Sequence, residues 1–270
     1  MTTHVGNEVF EPVSETGWRR GFGNLWQGEF SSWFKSSRWL KHLFLWVVLV
    51  NGMMVIMALA AQADEGGAPP DFLFMYGIFG SMFVAFAIMI IMQRAVVGEK
   101  KDGTAAWLLS KPVTHSAFIV SRMAANSLGI LVTSTIIPGI LVYITAGLLT
   151  DLGWLSPLGY LAGLLCFCLQ VFFWLMLTLM MGTFFDSTGS VIAVPIGLYF
   201  ALWFLPGIIP GLVYIDPLVL TFAEPTIMQP LAVSFMLGEP LYSWIPLIAT
   251  VIFCIVFIAV SIWRFNKTEF

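Results

Sequence analysis

The chain has 270 residues, 59% of them hydrophobic and 10% charged, with a formal net charge of −3. Soluble domains carry about 25% charged residues, so this composition excludes a soluble globule. A mean hydropathy of +0.91 indicates an all-α polytopic membrane protein whose main solvent is the bilayer. A slightly acidic balance also speaks against a nucleic-acid partner, which needs basic patches.

The first twenty residues are polar and acidic. They lack a basic start followed by an apolar run, so a cytosolic tail is expected over 1–20 and no cleavable signal peptide. The next stretch, residues 21–41, reads as an amphipathic helix lying in the membrane interface. Phe22, Trp26, Phe30, Trp33 and Phe34 share one band, while Asn24, Gln27, Ser31, Ser32, Lys35 and Arg38 take other faces. Glu29 falls within the apolar band. It snorkels, or the helix is tilted, or it pairs with a basic residue of the 94–122 loop, Arg94 and Arg122 being the nearest by topology.

Residues 42–270 read as one transmembrane domain. Apolar runs of about twenty residues can cross a bilayer. Six are present: Leu43–Ala61, Phe72–Met92, Asn126–Leu149, Leu158–Phe185, Val191–Ile209 and Trp244–Trp263. Pro138 is expected to kink the third, and Pro195 and Pro206 to break the fifth. Between the second and third spans lies "GEKKDGTAAWLLSKPVTHSAF". Glu99–Gly103 reads there as a charged turn. Thr104 can N-cap a short helix that Pro112 stops, and Thr114 can cap the next. Trp107, Leu108 and Leu109 give the short helix an apolar cluster that suits a docking surface. Between the fifth and sixth spans, residues 210–243 carry five prolines and two apolar pieces, Leu212–Phe222 and Thr226–Leu237. Both are too short to cross a membrane, so re-entrant helices fit better. Phe222, Ile227 and Phe235 are candidates for an apolar outer gate.

All twelve Lys and Arg residues fall before the first span, between the second and third, or after the sixth. The segments 62–71, 150–157 and 210–243 hold only acidic charge. The positive-inside rule therefore predicts that both termini are cytosolic. The spans carry almost no charge, whereas ion-coupled carriers bury titratable groups at membrane depth. Energy for any transport is expected to come from outside this chain. Deep polar groups such as Asn51, Asn126 and Gln170 suit hydrogen bonds between helices. Cys166 and Cys168 point to nearly opposite helix faces, and no metal site or disulfide framework is implied. The fourteen methionines read as flexible packing rather than a thioether route for copper. Neither a phosphate-cradling G-x-x-x-x-G-K-[ST] run nor a nucleophile set is present, so an enzyme is not expected.

The loop resembles the E-x-x-x-G-T-x-x-x-L-L-S-x-P-[VIL]-[ST] signature that follows the second span in ABC-2 type (type V ABC exporter) permeases. Glu99, Gly103, Thr104, Leu108, Leu109, Ser110, Pro112, Val113 and Thr114 match it in place. His115 departs from the more usual Arg. Glu29, Phe30 and Arg38 resemble the family's opening helix, with Gly28 in place of the usual Lys. The resemblance implies that the loop carries a coupling helix docking on an ABC nucleotide-binding ATPase subunit. It further implies two copies of that ATPase, holding ATP and Mg, and a second permease chain in a homo- or heterodimer. No cofactor is then bound by this chain. The uncharged interior suits an apolar or amphipathic cargo, and the setting would be a bacterial or archaeal cell membrane. The alternative is a non-transporting anchor, assembly or mechanotransmission subunit on the same ATPase.

The charge split carries a direct test. Cysteines at Gly66 and Thr226 are expected to react with an impermeant thiol reagent from outside, and one at Lys101 only after permeabilisation. External labelling at Lys101 would reverse the orientation.

Overall fold

The computed structural model describes residues 17–63, 69–103, 111, 113–223 and 229–267. Among them every regular element is helical. After a 3₁₀ turn at Gly17–Arg19 comes α1 (Phe22–Phe34). Six helices are long and apolar enough to cross a membrane: α2 (Arg38–Ala63), α3 (Phe72–Lys101), α4 (His115–Leu149), α5 (Pro157–Phe184), α6 (Thr188–Gly207) and α8 (Ile245–Asn266). A shorter α7 (Leu231–Leu237) precedes the last of them.

The helix boundaries refine the sequence reading. The amphipathic helix ends at Phe34, and Arg38 already belongs to α2. The second span does not stop at Met92: α3 runs on to Lys101, so Glu99 and Lys100 are helical rather than part of a turn. Asp102 then caps that helix, its N–H meeting the Gly98 carbonyl at 2.8 Å. Gly103 follows at φ 70°, the left-handed geometry that ends helices at glycine. Helix α6 runs through Pro195 unbroken, and Pro206 merely opens its final 3₁₀ turn. In α4 the helix widens into a π-type turn over Leu131–Ile136, just before Pro138. A proline clashes with the carbonyl four residues back, and the wider turn absorbs that clash.

Helix α5 is the axis of the bundle. Of its most apolar stretch 72% is buried, against 28% for α2, 17% for α6 and 22% for α8. Two of its glycines make room for α7. A Cβ on Gly159 would stand 2.5 Å from the Phe235 carbonyl oxygen, and one on Gly163 would stand 2.6 Å from that of Ala232. Backbone therefore packs directly on backbone. The second glycine pair of the same spacing, Gly207 and Gly211, faces open space.

The proline-rich segment folds into two 3₁₀ turns, Pro210–Tyr214 and Pro217–Leu220, and then α7. It enters the bundle. Asp216 is fully buried, and its carboxylate accepts the Leu218 N–H at 2.8 Å. Thr221 donates to Gln170 Oε1 at 2.5 Å and shares a hydrogen bond with Ser81 at 2.8 Å. All three side chains are fully buried. Gln170 lies about 20 Å along α5 from Pro157, at a rise of about 1.5 Å per residue. The segment thus reaches the middle of the bundle. Its carbonyl at Thr221 packs against Gly77 of α3, leaving no room for a side chain there.

Gly77→Ala is therefore expected to destabilise the bundle by about 1–3 kcal/mol through overpacking. Gly189→Ala, where a Cβ meets nothing within 4 Å, should cost nothing measurable. Thermal unfolding of both variants in detergent checks this; equal midpoints would remove the close approach.

Candidate functional site around Arg122

One stripe of α4 gathers the other elements. Thr114, Phe118, Arg122, Asn126, Gly129 and Thr133 recur every three or four residues, so they share one face of the helix. The stripe begins at the N-cap, where Thr114 Oγ1 accepts the Ala117 N–H at 3.2 Å. The same hydroxyl donates to the Trp18 carbonyl at 2.7 Å, and the Thr114 N–H meets the Arg20 carbonyl at 3.1 Å. Gly21, at φ 84°, lets the chain pass against Val113, whose Cγ2 would lie 2.7 Å from a Cβ there. The entry to α1 is thereby tied to the entry to α4.

Two turns further on, the Arg122 guanidinium joins three helices. Its Nη2 lies 3.1 Å from Glu29 Oε1 of α1 and 3.0 Å from Glu99 Oε1 of α3. Its Nη1 donates to the Ala95 carbonyl of α3 at 2.7 Å. The guanidinium also sits 4.8 Å from the centre of the Phe118 ring, a favourable cation–π distance. Phe118 in turn stacks on Phe265, near the end of α8, at 5.2 Å. Side-chain exposures of 12% for Arg122, 23% for Glu29 and 24% for Glu99 put the cluster between surface and interior. Such charge-assisted bonds are stronger than exposed pairs, and removing one partner leaves a poorly hydrated charge behind.

Below the cluster the stripe becomes uncharged. Asn126 donates to the Arg122 carbonyl at 2.9 Å and accepts from Trp33 Nε1 at 2.9 Å. Trp33 lies flat on Gly129, where a Cβ would come within 2.5 Å of the indole. Thr133 shares a 2.6 Å hydrogen bond with His42 Nδ1 in α2, and Trp46 Nε1 donates to the other ring nitrogen at 3.3 Å. The sequence reading grouped Trp33 with the membrane-facing aromatics. It is instead fully buried in the bundle, because its face of α1 meets α4. Glu29 sits beside it for the same reason: that part of the apolar band faces Arg122 rather than lipid. Trp26 and Phe30 remain half-buried on the adjacent face, and Arg38 stacks over Trp33 at 4.4 Å.

Of the other candidate residues, Glu99 is in the cluster and Gly103 ends α3. Thr104, Trp107, Leu108, Leu109, Ser110 and Pro112 lie outside the described residues. So does Ile227 among the gate candidates. Phe222 is buried within this chain, edge-on to Trp203 at 5.5 Å. Phe235 is half-buried, edge-on to Trp244 at 5.7 Å. Lys100, next to Glu99, points away from Arg122. It donates to the Thr183 carbonyl at 3.0 Å, at the C-terminus of α5, and meets Asp186 at 3.2 Å. A cation suits a helix C-terminus; Asp186 is exposed, so that pair adds little. Among the described residues no group of three or more His, Cys, Asp or Glu side chains could hold a metal ion.

Six long apolar helices, one of them the buried axis, make a multi-pass membrane protein with a charged joint at one end. Residues 47–270 match the family model described as ABC-2 family transporter protein. The chain belongs to that family. It is also 27% identical over 193 residues to an uncharacterized transmembrane protein of Bacillus subtilis (strain 168), YxlG, covering 71% of this chain and 70% of that one.

Arg122→Ala strands two carboxylates and frees three elements. It is expected to destabilise the protein by about 1–3 kcal/mol, less than for a wholly buried pair and more than for a surface one. Glu29→Gln should cost less, and Glu15→Gln nothing. Unfolding midpoints in detergent rank the three, and an Arg122→Ala midpoint equal to wild type would dissolve the joint.

Proposed function

We propose that this ABC-2 family protein is the permease subunit of an ATP-driven exporter. Two such chains, or this chain and a related one, would pair with two copies of a separate ABC ATPase that binds ATP and Mg. Both termini and the Arg122 joint would face the cytoplasm of a bacterial or archaeal cell. The segment 104–110 would be the coupling helix, with Trp107, Leu108 and Leu109 as its buried anchor in an ATPase cleft. Aromatic and aliphatic side chains at an interface centre often carry about 2 kcal/mol or more each.

The observation that carries this reading is the Arg122 guanidinium shared by Glu29 and Glu99. The proposed coupling helix sits between the end of α3 and the start of α4, which Arg122 ties together through Glu99 and Ala95. A push on the loop therefore moves α3, α4 and α1 as one body instead of bending a loose hairpin. Rigid-body shifts of this kind are how packed interfaces pass on small displacements. Closure of the two ATPases would drive two such joints and change access to the pathway between the permease chains. The cargo would be apolar or amphipathic. The re-entrant segment 210–243, with Phe222, Ile227 and Phe235 as its apolar plug, would close the outer side.

The double variant Trp107→Ala/Leu108→Ala is expected to release the ATPase, or to uncouple its turnover from cargo, while the permease remains folded. Co-purification at wild-type yield with transport intact would remove the 104–110 helix from the mechanism. ATPase stimulation by candidate cargoes in nanodiscs separates an exporter from a non-transporting anchor.

A further inference from the structure

Helix α1 has three faces: one is taken up by the bundle, one is polar and exposed, and one is half-buried, with Phe34 at its end packed against the core. Glu29 and Trp33 face α4. Asn24, Gln27, Gly28 and Ser32 are exposed and polar. Between them runs a ladder of half-buried rings: Phe22 to Trp26 at 6.3 Å, Trp26 to Phe30 at 5.9 Å and Phe30 to Phe34 at 4.7 Å. The ladder is about 18 Å long. Its ends are basic. Arg19 and Arg20 precede it, and Lys35, Arg38 and Lys41 follow it, all exposed. Two of these guanidiniums are held on rings: Arg19 stands 5.1 Å from Trp18 and Arg38 stands 4.4 Å from Trp33. The sole carboxylate between residues 17 and 46 is Glu29, and Arg122 engages it.

We propose that this strip binds anionic phospholipids, with headgroup phosphates at its two basic ends and acyl chains against the ring ladder. The occupant must offer negative charge and apolar length together. A neutral lipid supplies only the second. Clustered Lys and Arg beside an amphipathic helix attract anionic lipid at roughly 1 kcal/mol per residue, and Phe and Trp rings suit the headgroup boundary. Because α1 is bolted to Arg122 and Asn126, lipid bound to it acts on the same joint that carries the proposed coupling. That regulatory consequence rests on the permease reading above; the lipid selectivity does not.

The test uses the purified chain in detergent, titrated with phosphatidylglycerol or with phosphatidylcholine, and reads retained lipid by native mass spectrometry. Phosphatidylglycerol is expected to be retained preferentially, with affinity falling as salt rises. The variant Arg19→Gln/Arg20→Gln/Lys35→Gln/Lys41→Gln should weaken phosphatidylglycerol about tenfold or more and leave phosphatidylcholine unchanged. Arg38 is kept because it also packs on Trp33. Lys101→Gln, which removes an exposed charge at the end of α3, should leave both lipids unchanged. Equal retention of the two lipids by the wild type, or affinity insensitive to salt, overturns the proposal without relying on any variant to fold. Equal weakening in the Lys101 control also overturns it. Cargo-stimulated ATPase activity, measured separately with the partner present, reports on the permease reading, so the two can fail independently.

Discussion

A guanidinium at the edge of an apolar bundle cannot be left alone, and the way Arg122 is satisfied organises this end of the molecule. Its two carboxylate partners and its carbonyl partner come from α1 and α3. Its own helix carries the ring beneath it, which meets α8. Each partner is far away in sequence, and each would lose a hydrogen-bonded charge if the helices slid apart. Because a partly desolvated pair resists the loss of either member, the joint fixes where α1 lies. The uncharged rungs beneath it, Asn126, Gly129 and Thr133, then set its tilt and the entry of α2.

Elsewhere in the bundle uncharged polar groups meet. There a proline-rich segment brings its own polar groups into the bundle, and Thr221 answers the buried Gln170 and Ser81. Non-helical backbone at such depth is tolerated where protein surrounds it. Glycines at 77, 159 and 163 supply that enclosure by letting carbonyls approach helices closely. One end is thus a charged joint among long helices, and the other a proline-rich run of short turns packed between them.

Much of this was legible in the residues. Six apolar runs gave six long helices, because the number of residues needed to cross a bilayer is a length any chain reports directly. Thr114 read as a cap and is one. Gly159 and Gly163, four apart and so on one face of α5, are where α7 packs. Glu29 was out of place in its band, and its partner proved to be Arg122. Other residues misled. Trp33 shares the aromatic band, yet it is turned into the bundle. Gly207 and Gly211 have the same spacing, yet a Cβ on either would meet nothing within 4 Å in this chain.

The sequence by itself determined the membrane class, the span count and the positions of the special residues. Hydropathy, capping and helix-breaking are properties of short windows, and each residue carries its own share. Only the tertiary structure decided which polar group meets which. Arg122 could have paired with either acidic neighbour or with neither, and it takes both. Gln170 could have faced any helix, and it meets a segment 51 residues away. Periodicity says which residues share a face but not what that face opposes. The opposing surface is set by packing of the whole bundle, where steric fit and the cost of an unpaired polar group are settled together.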